Sequence, residues 1–302
     1  IRRLMKVIRP ITITPAKVLS STATEVYSDW SNATTYNIGD RVIYVDNIYE
    51  SLKDANLNKI PKSTPTDWLL VGATNKMSMF DTQVMSQTTA TETLSVSFAP
   101  GSTFNTIAFL NIQGNVISVS VKDSVGGTEV YSESVQLDNS TESVIDWYTY
   151  FFEEFDYRSE VVFSGIPPYA IGVVDVTITS GAGEVVAIGS TSVGNVIDLG
   201  DTQYGLNYGI RDYSIKETNE FGNTKFAVRA YSKRMSPVLM TANTRLNYVT
   251  KTLENLRATP TVFIGTDDPK FPTTIYGFLK DWNLEISYPN HSMISIEVDG
   301  LI

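Results

Sequence analysis

Between residues 116 and 136 the chain reads VISVSVKDSVGGTEVYSESVQ, in which Ile117, Val119 and Val121 alternate with Ser118 and Ser120. Side chains of a strand point alternately to opposite faces, so a period of two specifies a half-buried strand and rejects a helix. Gly126-Gly127 then turns the chain into the second arm of a hairpin. The apolar runs TIAFLNI, EVVFSGI, IGVVDVTI and EVVAIG add further strand-length signals to either side. The chain is therefore expected to be mainly β, with a central jelly-roll-like β-sandwich over residues 75–190.

The flanking segments read differently. Residues 1–24 are expected as an extended basic arm, carrying Arg2, Arg3, Lys6 and Arg9. Its apolar stretch is short and broken by Pro10, so it is read as an arm and not as a secretory leader. Opposite charge steers association, so these four cations are candidates for docking on an acidic neighbouring subunit. Residues 25–74 form a small β module. Trp30, Tyr36, Val42, Tyr44, Tyr49 and Trp68 give it large side chains to bury, with turns at Gly39-Asp40 and Asp46-Asn47. Residues 191–302 read as a β-β-α-β-β assembly domain. A hairpin turns at Asn219–Asn223. Leu246, Val249, Leu253 and Leu256 then lie on one helical stripe that Pro260 stops, so one amphipathic helix covers a C-terminal sheet.

The chemistry-bearing residues are few. There is no cysteine, which removes disulfides, thiolate metal sites and thiol nucleophiles together. The one histidine, His291, falls between a Pro-Asn turn and an alternating strand, without the partners of a catalytic base or a zinc ligand. No glycine-rich loop has the Lys-Ser/Thr or the strand–helix setting that phosphate binding requires. Asp267-Asp268 lacks the alternating acids of a calcium loop and reads as a turn, and Glu153-Glu154 has no evident pocket. The run DWYTYFFEEFDYR (Asp146 to Arg158) reads as a plug for the sandwich end, with Trp147 and Tyr150 as a second possible stacking patch. A net charge of −10 argues against a broad nucleic-acid footprint, and no apolar run is long enough to span a bilayer. No enzyme activity, cofactor, metal or sequence-specific nucleic acid is expected.

Two resemblances follow from these residues. The pattern of Trp30, Tyr36, Gly39, Asp40, Val42, Tyr44, Tyr49, Glu50, Pro65 and Trp68 resembles the small chitin-binding type modules of carbohydrate-binding families five and twelve. That resemblance implies a sugar site, for which Tyr44, Tyr49 and Trp68 are the stacking candidates. Lys53 and Asp54 stand where those modules carry their exposed tryptophans. More widely, the module followed by WLLVGATNKMSMFD, DWYTYFF, RDYSIKETNEFGNTKFAVRAYSKRM and TIYGFLKDWNLEISYP resembles virion proteins encoded among the tail genes of tailed bacteriophages. The last segment also resembles the sandwich-plus-helix of ring-forming tail-tube and distal-tail proteins.

These resemblances imply a non-enzymatic structural component of a phage tail, made in the host cytoplasm and carried in the virion. Its partners would be copies of itself and other tail proteins. The alternative reading is an adhesin that recognises a bacterial surface glycan.

Overall fold

The computed structural model of the chain describes residues 3–138, 147–148, 157–218, 220–267, 271 and 273–301. It is built of several antiparallel sheets, with Leu246–Asn255 the longest helix among the described residues. The chain divides into two compact units, one of residues 1–11, 105–108 and 192–302, the other of residues 12–104 and 109–191.

In the first unit the sheet closes on itself. Val185–Thr202 pairs with Leu4–Pro10, which pairs with Thr261–Ile264. The order continues through Thr274–Glu285 and His291–Gly300 to Val238–Ala242. That last strand returns to the first at Asp201↔Met240 and Thr202↔Leu239. Every step is antiparallel, and a closed circuit leaves little unpaired edge. The inward residues follow the strand period, as with Ile294, Ile296 and Val298. They meet Met5, Val7, Leu199, Leu239, Phe263 and Ile275, together with Val249, Leu253 and Leu256 of the helical stripe.

The helix ends at Asn255, well before Pro260, and Ala258 takes φ +58° as the chain turns away. Glycine is required where strands cross closely. A Cβ on Gly277 would overlap the carbonyl oxygen of Asp299 on the neighbouring strand.

The expected C-terminal sheet with one amphipathic helix is present, and the helix packs into the core of a closed circuit. The strand completing the circuit comes from the other end of the chain, beyond the reach of a local pattern. The start of the expected extended arm is a strand within the sheet. Leu4–Pro10 is paired on both sides, with Met5, Val7 and Ile8 fully buried. Its basic residues flank apolar ones that the core claims.

In the second unit a five-stranded sheet runs in the order Glu129–Gln136, Val116–Lys122, Val173–Thr179, Thr93–Phe98, Val18–Ser21. The alternation at 116–122 buries Ile117, Val119 and Val121, and Leu94, Val96, Phe98, Val174, Val176 and Ile178 continue that face. Thr106–Gln113 stands between Glu160–Ser164 and Val185–Thr202 in the order of the eleven-stranded sheet to which the circuit belongs. Phe109 and Phe163 meet edge to face there, 5.9 Å apart. The pair of apolar faces is the sandwich-like arrangement expected from the alternation. Of the aromatic run, Trp147, Tyr148 and Tyr157 are exposed, and Tyr150 and the acids Glu153-Glu154 lie outside the described residues.

The 25–74 segment contributes a three-stranded sheet, Arg41–Tyr44, Asn47–Ser51 and Trp68–Ala73. Its tight turn falls on Val45 and Asp46, at φ +48° and +61°, one residue earlier than expected. The pairing Tyr44↔Asn47 leaves only two residues to make it, and such a loop holds both at positive φ.

Truncating a fully enclosed side chain of the closed sheet leaves a cavity. Leu253→Ala is expected to destabilise the protein by about 2–5 kcal/mol in urea unfolding. A loss below about 1 kcal/mol would show that the helix does not share that core.

Candidate assembly surface

A hairpin branches from the closed sheet. Tyr231–Ser236 joins His291–Gly300 only at Arg234↔Asp299 and Met235↔Val298, and on its other side pairs with Asn207–Asp212. Beyond Asp212 the two chains pair again as Ile215–Thr218 with Thr224–Ala227, a two-stranded sheet of its own. From Asp212 to Phe221 is at most about 30 Å at 3.3 Å per residue.

Every described residue from Ile215 to Tyr231 is exposed. Directly opposite residues share a face, so Phe226 lies beside Lys216 on one face, and Ile215, Ala227, Glu217 and Lys225 lie on the other. Phe221, Phe226 and Val228 are 88%, 67% and 88% exposed. An isolated two-stranded hairpin buries too little to be stable by itself, and exposed apolar clusters mark interaction surfaces.

The base of the hairpin is fixed by polar contacts. Asp212 accepts a hydrogen bond from the Ser214 amide at 2.9 Å and pairs with Lys216 at 3.2 Å. The Ser214 hydroxyl accepts from the Arg229 amide across the hairpin at 3.0 Å. Arg211 reaches Asp299 at 3.3 Å, and Lys280 links Asp299 at 4.0 Å to Glu297 at 2.6 Å. The Lys280 hydrogen bond holds the Glu297 carboxyl below its usual range, with Arg211 and Arg234 adding to the effect. Hydrogen bonds from Ser214, with help from Lys216, bring Asp212 down to about 2.

The sugar-stacking candidates sit elsewhere and face inward. Trp68 is 2% exposed and donates its Nε1–H to the Lys59 carbonyl at 2.9 Å. Tyr36 meets its ring at 5.3 Å, and Tyr49 is buried. Tyr44 is half-buried between Trp30 at 5.6 Å and Tyr49 at 6.5 Å. The structure places Tyr49 and Trp68 in the module's core with Tyr36 and Val42, and Tyr44 packs half-buried against it. Lys53 pairs with Asp67 at 2.6 Å.

The four basic residues do not form one patch. Arg2 lies outside the described residues. Arg3 stacks over Tyr204 at 4.3 Å and near Phe271 at 5.3 Å, Lys6 pairs with Asp267 at 3.3 Å, and Arg9 is exposed. Asp267 also accepts from the Leu4 amide at 3.1 Å, so it ties down the first strand; Asp268 lies outside the described residues. His291 is exposed at the start of its strand. Among the described residues no group of His, Cys, Asp and Glu is placed to hold a metal ion.

Sequence reasoning located the hairpin and its turn but not its exposure. The signal is NEFGN, which places a phenylalanine within a polar turn.

No protein-family model matches the chain, and no curated protein matches it. Among solved structures it is similar to a chitosan-binding module 1 derived from a chitosanase/glucanase from Paenibacillus sp. IK-5. The identity is 11%, over 39% of this chain and 83% of that one, with a TM-score of 0.26. A likeness so loose carries no inference about fold or ligand.

The folded Asp212 value lies below the ordinary one, so its contacts are complete above about pH 4 and lost as pH falls through about 2. The Ser214 amide resonance is expected to titrate with a midpoint near 2, and to lose that titration in Asp212→Asn. A midpoint near 4 would mean the hairpin base is not held.

Proposed function

We propose that this chain is a non-enzymatic structural component of a bacteriophage tail, at the tip, baseplate or collar. It assembles into a ring with copies of itself and with other virion proteins. The observation that carries this reading is the hairpin from Asn207 to Ser236, whose outer half is exposed on both faces and holds Phe221, Phe226 and Val228. A closed sheet gives up its edges, yet here it extends one outward with aromatic side chains on it. Such an arm gains its cover from a neighbour. The resemblance of the sequence to phage tail proteins supplies the setting, and the net charge of −10 suits a ring through which DNA must pass without being gripped.

In this reading the module of residues 25–74 is a kept shape. Of the three stacking candidates Tyr49 and Trp68 are buried in the module's core, and the half-buried Tyr44 alone keeps exposed surface.

Replacing residues 215–227 by a two-residue turn tests the proposal. The shortened protein is expected to keep the cooperative unfolding of the full chain but to lose self-association in sedimentation velocity. Undiminished association of a folded, shortened protein would overturn it.

A further inference from the structure

The first unit also carries a cleft of about 530 Å³ beside the helix Leu246–Asn255. The helix turns two stripes in different directions. Leu246, Val249 and Leu253 enter the core, whereas Tyr248, Lys251, Thr252 and Asn255, at spacings of three and four, line the cleft. Pro10, Ile197 and Leu256 supply apolar wall. Arg9 and Lys251 line it as well, both exposed, and among the described residues neither is held in an ion pair. Two unpaired cations beside an apolar hollow are unusual on a chain whose net charge is −10. The size lies within the range of sites that take a few side chains.

The chemistry that suits such a cleft is an apolar ring next to a carboxylate. The hairpin tip offers that pair in adjacent residues, Glu220 and Phe221, both exposed. Farther down the hairpin Glu217 stands opposite Lys225 in the pairing, and Asp212 is engaged by Lys216, so Glu220 is the acid left at the tip.

We propose that this cleft receives the Glu220-Phe221 tip of a second copy of the chain, with Arg9 and Lys251 facing Glu220 and the ring against Pro10, Ile197 and Leu256. The inference rests on the assembly reading above and specifies its contact. Tip and cleft are different surfaces of the same unit, so the interface is heterologous: each copy gives a tip and receives one. Repetition closes a ring if the rotation allows and otherwise extends a filament. No symmetric dimer can satisfy it by a single contact.

That asymmetry gives a test with an internal control for folding. Two full-length variants are made, E220Q/F221A with a disabled tip and R9Q/K251Q with a disabled cleft, and followed by sedimentation velocity. Wild type is expected to associate beyond a dimer, and each variant alone to associate about thirtyfold more weakly or worse. Mixed, they should form a one-to-one dimer that grows no further, because one intact tip meets one intact cleft. Complementation also shows that both variants are folded. Wild-type association with either variant unimpaired, or with no complementation in the mixture, overturns this contact and leaves the assembly reading standing. A wild-type chain that stays monomeric overturns both.

Discussion

The pairing of Leu4–Pro10 with residues 194–201 is the constraint on which the first unit depends. Without it the C-terminal strands would form an open sheet with two edges. With it Val185–Thr202 and Thr261–Ile264 are joined through a shared neighbour. The strand also supplies Met5 and Val7 to the core, and its Ile8 carbonyl accepts a hydrogen bond from the Thr261 hydroxyl. Asp267 then fastens its beginning through the Leu4 amide and Lys6. The contact joins positions almost 200 residues apart (Leu4↔Asp201), so loop-closure entropy is lost before it forms. A folding unit that relies on such a contact is expected to be completed late and in one cooperative step.

Closure explains why the hairpin stands out. Strands within the circuit find a neighbour on each side, whereas Asn207–Asp212 has Tyr231–Ser236 alone. The polar links at its base, from Arg211 through Asp299 to Lys280 and Glu297, aim the arm without covering it. A rigid base and an apolar tip suit a part that must meet another body. Flexible exposed aromatics would instead lose affinity to the entropy of ordering them.

Local patterns were legible in the sequence and long-range ones were not. The period of two at 116–122, the helical stripe from Leu246 to Leu256 and the hairpin whose last pair is Thr218↔Thr224 each depend on neighbours a few residues away, and each appears in the structure. The first strand sets Arg3, Lys6 and Arg9 among Met5, Val7 and Ile8, and its partners lie at residues 194–201 and 263–264, beyond any local pattern. In the 25–74 module the aromatic positions were identified correctly, but a sequence does not say which way a ring faces. Trp68 spends its indole N–H on Lys59 and its ring on Tyr36, as a core residue does. The cleft beside the helix left no trace in the sequence, since its lining comes from the strands of Pro10 and Ile197 as well as from the helix.

The central claim is that the hairpin is an assembly surface, and amide hydrogen exchange at residues 215–230 measures that directly. In dilute solution these amides should exchange rapidly, since every described residue there is exposed and the hairpin forms a two-stranded sheet of its own. As the full-length protein is concentrated, or mixed with its assembling partners, they should become protected while the buried strand Leu4–Pro10 stays unchanged. Association that leaves exchange at residues 215–230 as fast as in the dilute chain would contradict the account.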